Sequence, residues 1–158
     1  MWIAKLPPAA LFAGSLTLFV CTLAPAVTFV DSGELIVAAN NLGVAHPPGF
    51  PLYLLISHAA TRVPLGSVAQ RVHFVSALCA AVAVVLLYLV TMEALRFPRS
   101  RPQAATARKT KPGTPRGALP RQYECIAAGT AAALVACSRT LWSYAAVAEV
   151  YTMNAALI

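Results

Sequence analysis

Residues 72–92, VHFVSALCAAVAVVLLYLVTM, contain no Asp, Glu, Lys or Arg over 21 consecutive positions. An α-helix rises about 1.5 Å per residue and the hydrocarbon core of a bilayer is about 30 Å thick, so about 20 apolar residues are enough to cross it. The stretch therefore predicts a transmembrane helix and an all-α fold.

Further apolar runs lie on both sides of this stretch. Residues 6–30 carry no formal charge, and residues 125–148 are interrupted once, by Arg139. Because proline disrupts helices, we expect Pro25 to kink the first run or end it early. The sequence predicts a polytopic transmembrane helical protein with one incomplete domain over residues 1–158, whose spans lie at about 9–28, 72–92 and 125–146, with the start of a fourth at about 153. A cleaved signal peptide is the alternative interpretation of the first run.

The overall composition agrees with a membrane protein. The chain is 59% apolar and 11% charged, and its mean hydropathy is +0.70, whereas soluble domains carry about 25% charged residues. These values argue against a water-soluble enzyme, a disulfide scaffold and a disordered chain. The four cysteines form no CxxC pair and are interpreted as small apolar packing residues.

The distribution of charge predicts the orientation. Eight of the 12 basic residues lie in a linker over residues 96–121, which has no acidic residue. Since basic loops stay in the cytoplasm, we expect the N-terminus and this linker to be cytoplasmic and the loop at 29–71 to be lumenal. The linker contains five prolines, which is typical of a flexible segment. Attraction to anionic lipid headgroups is left open for it, and no nucleic-acid partner is predicted.

The lumenal loop is predicted to contain two short helices separated by a proline-rich turn. The first covers residues 35–41 and can be closed by Gly43. The second, over residues 52–61, is too short to cross a membrane and suits an interfacial helix. The turn between them, residues 46–51, cannot be helical through its centre because residues that precede proline favour extended backbone.

Two acids, Asp31 and Glu34, lie where the first span leaves the bilayer. Their spacing fits a capping box, in which Asp31 caps the helix and Glu34 reaches back to it. Residues three apart also share one helix face, so both carboxylates can instead face one substrate. We interpret Asp31 as a candidate general base and Glu34 as the residue that tunes or orients it.

Four further residues are candidates for substrate or phosphate binding. His46 either hydrogen-bonds the backbone of its turn or contacts a phosphate. Arg71 and Arg139 either anchor the chain at the membrane interface or bind a phosphate through their guanidinium groups. Glu149 is either a solvated acid or a third lumenal acid of the site.

No metal site is predicted from the histidines, because they form no HxH or HxxxH pair. A divalent cation held by carboxylates and a lipid phosphate is left open. No resident cofactor is predicted.

Three segments of the chain resemble one known family. They are DSGEL at residues 31–35, LGVAHPPGFPL at 42–52 and AEVYTMN at 148–154, and they resemble the transmembrane protein 260 family of the C-type glycosyltransferase superfamily. The resemblance covers about residues 27–95 and 124–158, and the basic linker has no counterpart in it.

The resemblance implies the N-terminal part of a C-type glycosyltransferase-like membrane domain, in a multi-pass enzyme of the endoplasmic reticulum membrane. The implied activity is transfer of mannose from dolichyl phosphate mannose to Ser or Thr of lumenal IPT-type protein domains. Membrane lipid, the lipid-linked sugar and a lumenal acceptor protein are then the partners. By position, Asp31 matches the essential acid of the superfamily.

Two alternatives to a working transferase stay open. The chain ends before the later spans that complete superfamily active sites, so we expect its 158 residues alone to be inactive, as a non-catalytic truncated fragment. A transporter segment is the other alternative, since transporters place ionisable groups within their spans.

Overall fold

A computed structural model describes residues 6–28, 31–96 and 120–158, and within these ranges the chain is helical and contains no strand. The predicted all-α fold is therefore confirmed for the described residues. Apart from its end residues, the basic linker lies outside them. The helices are α1 (Leu6–Cys21), α2 (Ser32–Asn41), α3 (Pro51–Thr61), α4 (Val68–Arg96), α5 (Arg121–Ala136), α6 (Arg139–Ala145) and α7 (Tyr151–Leu157).

Helix α4 is the centre of the fold, and it contacts each of the other six helices. It has 29 residues and contains the whole of the predicted span 72–92. Its buried face includes Ala77, Ala80 and Ala81, none of which is exposed. These small side chains let the neighbouring helices approach α4 closely, so one helix can organise all the others.

The buried residues form two clusters along α4. One cluster joins the first half of α4 to α2, α3 and the segment before α7, through residues such as Leu35, Tyr53 and Ala148. The other joins the second half of α4 to α1, α5 and α6. The first cluster lies beneath the acids Asp31 and Glu34 at the start of α2, so the candidate site rests on a packed support.

Helix α1 ends at Cys21, earlier than the predicted span at 9–28. The chain leaves the helix four residues before Pro25, in agreement with the expectation that this proline ends the helix early. The backbone N–H of Ala24 then donates to the carbonyl of Ala146 at 2.9 Å. This bond fixes the segment after α1 to the end of α6.

The helix predicted over 125–146 is broken into α5 and α6, which are bent by 60°. The break lies at Ser138, which caps the start of α6. Its backbone is extended (φ −67°, ψ 140°), and its hydroxyl accepts a hydrogen bond from the N–H of Leu141, as an N-cap does. Serine at a cap competes with helix continuation, and the apolar pattern alone did not reveal this.

Among the described residues, fewer helices have the length and composition of a membrane span than the sequence predicts. By length and composition, α4 is the one helix of the described residues that can cross a membrane alone, and α5 with α6 meets the same criteria only as a bent pair. Helix α1 is apolar but shorter. The structure thus does not confirm the polytopic arrangement.

Candidate active site

Glu34, in the first turn of α2, is bound to His46 by two hydrogen bonds. Its Oε1 accepts from the backbone N–H of His46 at 2.6 Å, and its Oε2 lies 2.9 Å from the ring Nδ1. These hydrogen bonds lower the pKa of Glu34, and the bond to Glu34 raises the pKa of His46. The arrangement favours a carboxylate paired with an imidazolium, and both side chains remain partly exposed.

Asp31, immediately before α2, faces the same imidazole. Its Oδ2 lies 3.9 Å from the His46 Nε2, which is longer than a hydrogen bond. Among the described residues its carboxylate caps no N–H, and its backbone is helical (φ −75°, ψ −8°), whereas capping residues have extended backbone. The capping-box interpretation is therefore wrong. Asp31 keeps its carboxylate for other contacts, and Glu34 reaches His46 instead of the start of the helix.

The proline-rich turn places His46 against α2. The carbonyl of His46 accepts from the N–H of Gly49 at 2.8 Å. Gly49 has φ +85° and Phe50 has φ +43°, so the chain reverses through two residues in the left-handed region. The ring of Phe50 then meets the His46 imidazole edge to face, with centroids 5.4 Å apart. Glycine suits position 49 because it has no side chain to strain this backbone.

Glu149, in the segment between α6 and α7, is the third acid of the site. Burial raises the pKa of its carboxyl, the negative charge of Asp31 raises it further, and the charge of His46 opposes both effects. Only 5% of the residue is exposed. The solvated-acid interpretation is therefore wrong for Glu149. Its neighbours Ala148 and Val150 belong to the same buried cluster as Ala45 and Leu35, which adjoin His46 and Glu34.

A buried serine that the sequence analysis did not single out fixes the main chain of Glu149. The Ser76 hydroxyl, on α4, lies 3.1 Å from both the backbone N and the backbone O of Glu149. It also lies 2.9 Å from the hydroxyl of Tyr53, on α3. The signal available in the sequence was a hydroxyl within an apolar helix.

The two arginines are not joined to this cluster by the contacts within the described residues. Arg71 donates through its guanidinium to the carbonyls of Thr61, Leu65 and Gly66, at 2.7 to 2.9 Å. It thereby fixes the connection between α3 and α4. Arg139 is exposed at the first residue of α6. Phosphate binding by either arginine stays a prediction.

Asp31, Glu34 and His46 are also the described residues that could offer ligands to one metal ion. Their nearest ligand atoms all lie within 4.8 Å of one another. Both oxygens of Glu34, however, already contact His46. The contacts that the structure shows are those of an ion pair, and three ligand atoms are fewer than a Mg²⁺ or Ca²⁺ ion takes from its surroundings.

The site combines two chemical capacities. The carboxylate of Asp31, which is not used to cap α2, can accept a proton from a substrate hydroxyl. The imidazolium of His46, held by Glu34 through Nδ1, can donate from Nε2 to an anionic or hydroxyl oxygen. Both groups lie at one end of α2, on a support that α3 and α4 hold in place.

Comparison with known proteins identifies the family. The family described as "Protein O-mannosyl-transferase TMEM260 N-terminal domain" matches residues 31–158. The protein O-mannosyl-transferase TMEM260 of Mus musculus is 51% identical over 80 residues, which are 50% of this chain and 11% of that protein. The protein of the same name from Dictyostelium discoideum is 37% identical over 82 residues, which are 50% of this chain and 10% of that protein.

The match thus covers about a tenth of the length of these two curated relatives. No solved structure is significantly similar to the chain. The family model covers all of the acids Asp31, Glu34 and Glu149, together with His46. On this match, which confirms the resemblance found in the sequence, the chain belongs to the family of the TMEM260 protein O-mannosyl-transferase N-terminal domain.

Proposed function

We propose that this chain supplies the acceptor-activating site of a membrane protein O-mannosyltransferase. The donor in this proposal is dolichyl phosphate mannose, and the acceptor is a Ser or Thr hydroxyl of a lumenal IPT-type protein domain. The observation that carries the proposal is the Asp31 carboxylate, which forms no capping hydrogen bond with the described residues. Its Oδ2 lies 3.9 Å from an imidazole that Glu34 holds in place. The names of the relatives support the class of reaction.

In the proposed reaction the acceptor oxygen attacks C1 of the mannose. The bond between C1 and the phosphate oxygen breaks, and its electron pair leaves with dolichyl phosphate. The hydroxyl proton passes to Asp31, which acts as the base on the face opposite the leaving group, as in inverting glycosyl transfer. A lipid phosphate leaves without being protonated, so the site needs one base and no general acid.

His46 is the proposed contact for an oxygen of the acceptor or of the donor phosphate, because its Nε2 is the ring nitrogen that Glu34 leaves unoccupied. Hydrogen bonds between charged groups are about twice as strong as neutral ones. Of the two arginines, Arg139 is the further candidate for the phosphate contact, because its side chain is exposed, whereas Arg71 is engaged with backbone carbonyls.

The proposal also places the chain in the endoplasmic reticulum membrane as a multi-pass protein with a cytoplasmic N-terminus. The 29 residues of α4 extend for about 43 Å at 1.5 Å per residue, more than a bilayer core requires. N-glycosylation tags inserted near Gly43 and near Gly113 test the orientation. We expect the tag near Gly43 to be glycosylated. Glycosylation of the tag near Gly113, but never of the tag near Gly43, would overturn the proposed orientation.

The activity is tested with Asp31→Asn in the full-length protein. The variant keeps the size of the side chain but removes the base, so we expect kcat for mannose transfer to fall by about 100-fold or more. Glu93→Gln is the matched control, because Glu93 is an exposed acid near the other end of α4. Near-normal turnover by folded Asp31→Asn would remove Asp31 from the proposed role. We expect the 158-residue chain on its own to transfer no mannose.

A further inference from the structure

The hydroxyl of Ser76 has all of its hydrogen-bonding capacity used by two other parts of the chain. It donates to the carbonyl of Glu149 at 3.1 Å and accepts from the N–H of the same residue at 3.1 Å. Tyr53 lies 2.9 Å away and acts as donor in this arrangement. A serine hydroxyl has one donor and two acceptor sites, so these three bonds satisfy it completely.

Ser76 and Tyr53 are both fully buried. Burial raises the pKa of Tyr53 to about 12, so its hydroxyl keeps the proton that it donates to Ser76. A buried polar group without a partner is costly. The three bonded groups therefore favour one arrangement, which joins α3, α4 and the segment before α7.

The neighbours of Glu149 hold the same segment from both sides. Ala148 is completely buried and Val150 is 5% exposed, and both belong to the cluster that packs on α2 and α3. The backbone at Glu149 is thus fixed by packing on either side and by Ser76 in the middle. The same cluster contains Ala45 and Leu35, which adjoin His46 and Glu34, so Glu149 lies in the packed region that carries the candidate site. The charges of Asp31 and His46 act on its carboxyl.

We infer that Ser76 is a positioning residue of the proposed mannosyl transfer, which acts by holding the backbone of Glu149 so that the Glu149 carboxyl contacts the substrate bound at Asp31 and His46. This inference rests on the proposed function. Ser76 does not touch the substrate in this account. Its contribution to turnover passes entirely through Glu149, and the support by Tyr53 is one bond further away.

A double-mutant cycle in the full-length protein tests this role. We expect Ser76→Ala to lower kcat by about tenfold and Glu149→Gln to lower it by at least as much. Because Ser76 acts through the Glu149 carboxyl, we expect Ser76→Ala to cause no further loss when Glu149→Gln is already present. A merely structural serine would lower kcat by the same factor in both backgrounds.

Ser15→Ala is the matched control, since it removes another buried serine hydroxyl, on α1, and we expect it to leave kcat unchanged. If Ser76→Ala does not fold, Tyr53→Phe takes its place in the cycle, because it removes only the outer bond. We then expect Tyr53→Phe to cause no further fall in kcat when Glu149→Gln is already present.

The outcomes separate this inference from the proposed function. Suppose that the wild type transfers mannose. If the falls in kcat caused by Ser76→Ala and Glu149→Gln then multiply in the double mutant, or if Ser76→Ala keeps the wild-type kcat, only the role of Ser76 is overturned. Wild-type protein that transfers no mannose from dolichyl phosphate mannose would overturn the proposed function, and the positioning role with it.

Discussion

Glu34 binds His46 through two hydrogen bonds, although the two residues are 12 positions apart. Its Oε1 accepts from the backbone N–H of His46 at 2.6 Å, and its Oε2 lies 2.9 Å from the ring Nδ1. The backbone contact holds the turn at 46–51 against α2, and the ring contact fixes the orientation of the imidazole. The Nε2 atom is consequently directed toward Asp31, at 3.9 Å. A single acid thus fixes the orientation of its histidine partner and favours the charged form of the ring.

The Glu34–His46 pair makes stability depend on pH. The pKa of Glu34 is lowered from 4.5, so its contribution is present above about pH 4.5 and is lost as the pH falls through the lowered value. The pKa of His46 is raised from 6.5, so its contribution is present below about pH 6.5 and is lost as the pH rises through the raised value. We expect the stability advantage of the wild type over Glu34→Gln to be largest between these limits.

Thermal unfolding of the wild type and of Glu34→Gln, measured from about pH 3 to about pH 9, covers the titration of both groups and gives this difference in stability. NMR titration of the His46 ring is the direct check, and we expect its pKa to fall in Glu34→Gln. Glu93→Gln serves as the control. An advantage that does not change with pH would contradict the ion pair.

Asp31 is predicted to contribute little to stability despite its place at the start of α2. Loss of a capping side chain costs about 1 kcal/mol, but the Asp31 carboxylate forms no capping hydrogen bond with the described residues. We expect Asp31→Asn and Asp31→Ala to change the free energy of unfolding by less than about 0.5 kcal/mol. Chemical denaturation gives the value, and a loss near 1 kcal/mol in Asp31→Ala alone would restore the capping interpretation.

Sequence patterns predicted the helices better than they predicted the contacts between them. The apolar run at 72–92 is contained in α4, and the short helix predicted at 52–61 is α3, which begins one residue earlier. Helix α2 ends as expected near Gly43, but Leu42 takes the left-handed position at φ 50°. Runs of apolar residues and helix-ending residues are local signals, and they suffice for features of this kind.

The candidate site depends on contacts that no local pattern encodes. The pairing of Glu34 with His46 requires the turn at 46–51 to fold back on α2. The bond between Ser76 and Glu149 joins residues 73 positions apart, so it depends on how the segment before α7 packs against α4. The sequence could therefore name the acids and the histidine as candidates, but it could not choose between capping and catalysis for Asp31.

Gly49 is predicted to be essential for the position of His46. It has φ +85°, and a Cβ there would meet Val44 at 3.4 Å, so the main cost of a side chain is backbone strain. We expect Gly49→Ala to destabilise the protein by about 1–2 kcal/mol and to lower mannose transfer. Gly129→Ala, on α5 where a Cβ meets nothing within 4 Å, is the matched control and should be neutral or stabilising. Equal effects of the two substitutions in thermal unfolding would contradict this account.

Mannose transfer is predicted to continue after metal ions are removed. Asp31, Glu34 and His46 offer one ligand atom each, and His46 already pairs with Glu34, whereas Mg²⁺ or Ca²⁺ takes about six oxygen ligands. We expect full-length protein dialysed against EDTA to keep its kcat. Loss of activity in EDTA that returns with Mg²⁺ or Mn²⁺ would instead assign Asp31, Glu34 and His46 to a metal site.

Arg71 is predicted to act on stability rather than on donor binding. Its guanidinium donates to three carbonyls between α3 and α4, and hydrogen bonds to charged groups contribute about 1.5–3 kcal/mol each before solvent exposure reduces them. We expect Arg71→Ala to lower the free energy of unfolding by about 1–3 kcal/mol while KM for the lipid donor stays unchanged. Arg62→Ala is the matched control, because Arg62 is an exposed arginine of the same connection whose guanidinium contacts His58. A large rise in KM for Arg71→Ala with unchanged stability would show that Arg71 binds the phosphate after all.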